Sequence, residues 1–126
     1  MDERSAVIKI GDGEYELLLT TKATKEIAKK YGGLEKLGEK LMQSDDYGKA
    51  IDEIVWLITE LANQPILIHN YKHKEDQKPL LSAEEVELLT TPMNLATYKD
   101  AITEALYKGT KRNVESEDDQ KNAVVG

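Results

Sequence analysis

The chain has 126 residues, of which 40% are hydrophobic and 33% are charged, the size and mix of one soluble globular domain. It has no cysteine, which excludes disulfides, thiolate metal sites and a thiol nucleophile. The net charge of −7 argues against nucleic acid as a partner, because phosphate contacts need clustered Lys and Arg. The charged start and the shortness of the longest apolar run, Ile54 to Ile58, predict neither a signal peptide nor a membrane span, so we expect no membrane partner and an intracellular location.

The first predicted element is a β-hairpin over residues 6–19, where two runs of β-prone residues flank Gly11-Asp12-Gly13. A phosphate-binding glycine loop would run into a helix, whereas this turn runs into a second strand. Val7 and Leu18 should point away from the core, either under another element or towards a partner. Alternation should turn the other apolar residues to the core: Ala6, Ile8, Ile10, Tyr15, Leu17 and Leu19.

Four or five helices should follow the hairpin. Helical periodicity and capping residues predict them at 22–31, 34–42 and 47–63, then from the capping box at Ser82 to about Leu89. Thr91-Pro92-Met93-Asn94 should cap the last helix, whose buried stripe runs from Leu95 to Gly109. Pro65 is expected to break or restart the third helix. Residues 111–126 are mostly polar and charged and should form a disordered tail. The predicted fold is therefore α+β, a hairpin packed on four to five α-helices in one domain over residues 1–110.

Trp56 is the residue that the helical pattern does not explain. It lies about 180° from the apolar stripe of its helix, among charged residues. Either a second layer covers it, or it is offered to a partner, since Trp is enriched in binding hot spots. A groove that binds an apolar client would be lined by apolar residues that are not part of the core. We expect these residues to be Trp56, Val55, Leu18 and Val7.

His69 and His73 have the only metal-like spacing in the chain. At i and i+4 two imidazoles would share one helix face, and Glu75 and Asp76 lie close in sequence. Asn70, however, stands where a zinc-protease motif has Glu. We therefore expect solvated histidines and no metal or cofactor. No serine lies in a nucleophile elbow, so the sequence predicts a protein that is not an enzyme.

The order of elements and several short segments resemble those of small tail assembly chaperones from long-tailed bacteriophages and prophages of Gram-positive hosts. The resemblance covers about residues 6–113 and carries no catalytic signature. The segments are Tyr31-Gly32-Gly33-Leu34, Leu61-Ala62-Asn63-Gln64 and Leu80-Leu81-Ser82-Ala83-Glu84-Glu85-Val86.

The resemblance implies function by binding in the cytoplasm of a bacterial host. Such chaperones are thought to keep the apolar tape measure protein soluble and to help tail tube subunits assemble around it. The expected partners are the tape measure protein, the tail tube protein and further copies of the chain. A hairpin edge that adds a client strand is a second way of binding.

These families are often made as two products that differ by a programmed ribosomal frameshift. Gln120-Lys121-Asn122 can be encoded by a slippery A-rich heptamer, so we expect this chain to be the shorter product. The gene sequence tests this, since an AAG codon for Lys121 would contradict it.

Two other functions remain open at this level. One is an antitoxin-like or regulatory adaptor of a mobile element, which gene neighbourhood would distinguish. The other is a small metal-dependent enzyme that uses His69 and His73, which replacement of both histidines would test.

Overall fold

The structure, a computed structural model, describes the backbone of residues 5–37 and 47–125 and the side chains of 5–37 and 50–110. An N-terminal antiparallel hairpin is followed by helices, which confirms the predicted α+β class. The strands are β1 (Ser5–Ile10) and β2 (Gly13–Leu18). The helices are α1 (Thr21–Tyr31), α2 (Tyr47–Lys72), α3 (Ala83–Leu89) and α4 (Pro92–Val125), and residues 34–37 are also helical. Residues 38–46, which include most of the predicted 34–42 helix and the predicted cap at 44–46, lie outside the described residues.

A two-residue turn, Gly11-Asp12, joins the strands and fixes their register. Gly11 has φ +59°, whereas Asp12 does not have a positive φ, so the turn is of type II′ with glycine at its first central position. Ile10 pairs with Gly13, and the register continues to Ser5 opposite Leu18. The hairpin interpretation of the glycine motif is therefore confirmed.

The outer edge of β1 is held by α4. Hydrogen-bonded and non-hydrogen-bonded pairs alternate along the hairpin, so the backbone groups of Ser5, Val7 and Lys9 point away from β2. The Tyr98 hydroxyl donates to the Lys9 carbonyl, and Lys108 Nζ donates to the Ser5 carbonyl over 3.2 Å. Burial raises the pKa of Tyr98, which keeps this hydroxyl a donor. Two side chains of one helix thus bind two of the three outward-facing carbonyls of β1.

Three helices begin at caps that the sequence signals. Thr20 Oγ1 accepts from the Ala23 amide, Ser82 and Glu85 form a complete capping box, and Thr91 and Asn94 exchange hydrogen bonds at the start of α4. α1 ends at Gly32, whose φ of +91° is the left-handed conformation that glycine favours. The predicted ends of α1 are confirmed.

α2 is longer than the sequence predicts, because it passes through Pro65 and ends at Lys72. The expectation that Pro65 breaks the helix is wrong. Proline removes one backbone donor from the helix, but contacts hold the chain on both sides of it. Leu61 and Gln64 are buried on one side, and Asn70 binds the following loop on the other.

The hairpin, α1, α2, α3 and α4 share one apolar core. Ile58 and Leu61 of α2 lie at its centre with no exposed area, which confirms the stripe predicted for this helix. The other fully buried residues of the core are Leu17, Ala23, Ile27, Leu37, Leu57, Val86, Ile102 and Ala105.

α4 continues to Val125, whereas the sequence predicts a disordered tail from residue 111. Residues 111–125 contain neither proline nor glycine, the two residues that interrupt a helix most strongly, so helix propensity permits the continuation. Within the packed part, a Cβ at Gly109 would lie 2.9 Å from Leu19 Cβ. Only glycine lets α4 approach β2 this closely.

α2 and α4 both reach the length of a membrane-spanning helix. Neither carries an apolar stretch that would suit the bilayer interior, and the same holds for the other helices that the structure describes.

Candidate partner-binding site

Trp56 lies half-buried between the core and the end of α1. Its ring meets Tyr31 edge to face with centroids 6.0 Å apart, and Lys30 Nζ lies 4.9 Å above it. A cation over an indole face is attracted by the ring quadrupole. Trp56 is therefore partly covered by α1, so only a part of the ring is open to a partner.

Val55 and Leu18 do not wall an exposed groove. Val55 is 5% exposed and belongs to the core, and Leu18 is 3% exposed on the other face of the hairpin. The expectation that the core leaves these two residues unused is wrong. Helical and strand periodicity place a side chain on a face but do not say whether another element covers that face.

Val7 does remain at the surface, with 37% of its area exposed. It lines a groove of about 420 Å³ between β1 and α4, opposite Thr97, Ala101 and Glu104. The edge contacts of Tyr98 and Lys108 flank this groove, so a client strand cannot pair along β1 without displacing them.

A buried polar network joins the start of α1 to α2. Gln64 is 2% exposed and accepts from the Thr20 hydroxyl over 2.6 Å, while its amide nitrogen donates to the Glu60 carbonyl over 2.9 Å. Burial, and then repulsion by Glu26, raise the pKa of Glu60, against a smaller attraction to Lys22.

His69 contacts the loop of residues 73–82. Its Nε2 lies 2.8 Å from the Asp76 carbonyl oxygen and 3.5 Å from Asp76 Oδ2. The His73 ring stacks beside it with centroids 4.7 Å apart. Among the side chains that the structure describes, no three of His, Asp or Glu are grouped to hold a metal ion.

Two asparagines of α2 fix the path of the same loop. Asn63 binds both backbone groups of Leu81 at 2.7 and 2.8 Å, and Asn70 binds both backbone groups of Lys78 at 2.7 and 3.0 Å. Seven helical residues rise about 10.5 Å, and three residues of extended chain span about 10 Å, so the two spacings match. The segment 78–81 therefore runs antiparallel to α2, with Leu81 buried at its end.

Large apolar side chains reach the solvent where α3 meets α4. Leu88, Leu89 and Met93 are 75%, 52% and 83% exposed and lie within six residues of each other, and we call them the α3–α4 corner. Leu88 lies two residues from the buried Val86, so at 100° per residue it points almost directly outward. Leu89 lies against the hairpin turn, within 3.5 Å of the place where a Cβ of Gly11 would stand.

Sequence reasoning did not select the α3–α4 corner. Leu88 and Leu89 were expected to accompany Val86 in a short helix, without any distinction between its faces. The signal was present, because Leu88 shares its helix face with Glu84 at i−4 and not with Val86.

Comparison with known proteins gives no further guide: no protein-family model, no curated protein and no solved structure matches this chain significantly.

Proposed function

We propose that the chain is a phage tail assembly chaperone, a protein without catalytic activity that binds the tape measure protein and assists assembly of the tail tube. It would act in the cytoplasm of the bacterial host and contact the tail tube protein and further copies of itself. We further propose that it is the shorter product of a frameshifted gene.

The α3–α4 corner is the observation that carries this proposal. Single exposed apolar residues are ordinary, but Leu88, Leu89 and Met93 lie together and two of them are at least three-quarters exposed. A protein that keeps an apolar client in solution needs such a surface. The net charge of −7 would keep the resulting complex soluble.

The test is co-expression with the tape measure protein encoded in the same genome. The wild type should keep the client soluble and co-purify with it. The double variant Leu88→Ser, Met93→Ser should lose most of the soluble client, because it removes apolar contact area without disturbing buried residues.

Two matched variants place the client on the molecule. Tyr107→Ser removes an exposed aromatic residue of α4 and should leave client solubility unchanged. Trp56→Ala tests the half-buried indole, which we expect to contribute less than the corner. If the client precipitates with this chain and also with the longer frameshift product, the proposed function is wrong.

A further inference from the structure

We propose that the α3–α4 corner binds a basic amphipathic helix, with Lys or Arg beside its apolar stripe. This inference rests on the proposed function, since it names the kind of client segment that the same surface would recognise. Two observations support the inference: the exposed carboxylates around the corner and the helical backbone on which its residues lie.

Exposed carboxylates lie near the corner, and Lys9 of β1 lines the adjacent groove together with Asn94. From Pro79 to Tyr98 the chain has three glutamates and neither Lys nor Arg. Glu84 and Glu87 are exposed on α3, and Asp12 follows Gly11 in the turn that Leu89 contacts. None of these three carboxylates takes part in an ion pair among the described side chains. An apolar surface with an unpaired acidic rim complements apolar residues that are flanked by cations.

The backbone around the corner favours a helix over a strand as the occupant. Leu88 and Leu89 lie on α3, Met93 lies in the first turn of α4, and the neighbouring hairpin contributes only its turn. No edge of extended backbone is offered there by the described residues, so recognition must come from side-chain packing. Packing of this kind is how amphipathic helices bind to apolar surfaces.

A second copy of the chain is a poorer occupant than a separate partner. α1 carries four lysines, but its apolar residues Ala23 and Ile27 are fully buried in the core. The lysines of α1 therefore do not lie beside an exposed apolar stripe, which a basic amphipathic helix would need. Docking of α1 on another copy would require the domain to open.

The experiment uses two labelled helical peptides of identical length. Both carry one leucine stripe, and the remaining positions are lysine in one and glutamate in the other. Fluorescence anisotropy should show that the lysine peptide binds the full chain at least about tenfold more tightly than the glutamate peptide. Added salt should reduce the difference between them.

Charge variants separate the corner from the overall negative charge. The double variant Glu84→Lys, Glu87→Lys should weaken lysine-peptide binding about tenfold, whereas the double variant Glu35→Lys, Asp52→Lys, which changes the net charge equally elsewhere, should change it by less than about threefold. The double variant Glu84→Gln, Glu87→Gln should also lose affinity for the lysine peptide, by a smaller factor. It replaces the lysine variant if that variant folds poorly.

The outcomes distinguish this inference from the proposed function. Equal binding of both peptides, equal effects of all charge reversals, or no binding would overturn it. Solubilisation of the tape measure protein that survives Glu84→Lys, Glu87→Lys would overturn it as well and leave the chaperone proposal intact. Peptide binding at the corner without any effect on the tape measure protein would instead contradict the chaperone proposal.

Discussion

The two halves of α2 are held in the fold by different forces. Before Pro65 the helix lies in the core, where Ile54, Leu57, Ile58 and Leu61 are buried. From Pro65 to Lys72 none of the described side chains is buried, and side chains on this side bind backbone atoms of the loop 73–82. One helix thus serves both as a core element and as a scaffold for a loop.

The difference teaches that burial and polar pairing fix different things. Apolar contact is nondirectional, so it sets where the helix lies but leaves the connecting loop free. An asparagine that binds both backbone groups of one residue fixes that residue alone. The loop 73–82, otherwise exposed, gains a defined path from three side chains.

Leu61→Ala should have the largest effect, because it opens a cavity in the core half. We expect a loss of about 2–5 kcal/mol in the free energy of unfolding, measured by urea denaturation. Ile68→Ala, which truncates a half-buried residue of the second half, is the matched control and should cost clearly less. Equal losses would mean that the two halves are held alike.

Asn63→Ala should come next. It leaves the amide and carbonyl of Leu81 without their partner beside a buried side chain, so we expect a loss of about 1–3 kcal/mol. Hydrogen exchange should show faster exchange at the Leu81 amide. A Leu81 amide that stays protected in this variant would contradict the proposed role of Asn63.

Asn70→Ala makes the same deletion at the exposed end of the segment. Because water replaces the lost partner of Lys78, we expect only about 0.5–1.5 kcal/mol. Limited proteolysis should cut the loop 73–82 faster than in the wild type, while the core half keeps its protection. A loss as large as that of Asn63→Ala would show that exposure does not distinguish the two asparagines.

Glu60→Gln should have the smallest effect and a characteristic pH dependence. The pKa of Glu60 is raised in the folded state, so its contribution to stability is fully present below the ordinary glutamate pKa of 4.5 and is lost as pH rises through the higher folded pKa. Thermal unfolding should show that the stability of the variant, relative to that of the wild type, rises between pH 4 and 7. The exposed Glu35→Gln should show no such gain, and a parallel gain there would remove Glu60 as the cause.

Local signals predicted the elements of this fold well. The type II′ glycine turn, the caps at Thr20 and Ser82 and the stripe around Ile58 act within a few residues, so they can be recognised in the sequence. The passage of α2 through Pro65 was missed, because contacts made more than ten residues away along the chain support it.

The candidate site was harder to predict than the fold. Leu18 and Val55 were expected at a surface and are buried, and the outward direction of Leu88 was overlooked. Which side of an element is covered depends on the packing of elements distant in sequence. Only the exposure of Val7 and part of the exposure of Trp56 followed from periodicity alone.

The two contacts from α4 to the outer edge of β1 have a consequence for growth of the sheet. A two-stranded sheet with an open edge is a template on which further chains can stack, which is a route to fibrous aggregates. Tyr98 and Lys108 occupy the Lys9 and Ser5 carbonyls that an added strand would need first. These two contacts therefore oppose the addition of a further strand at this edge of the hairpin.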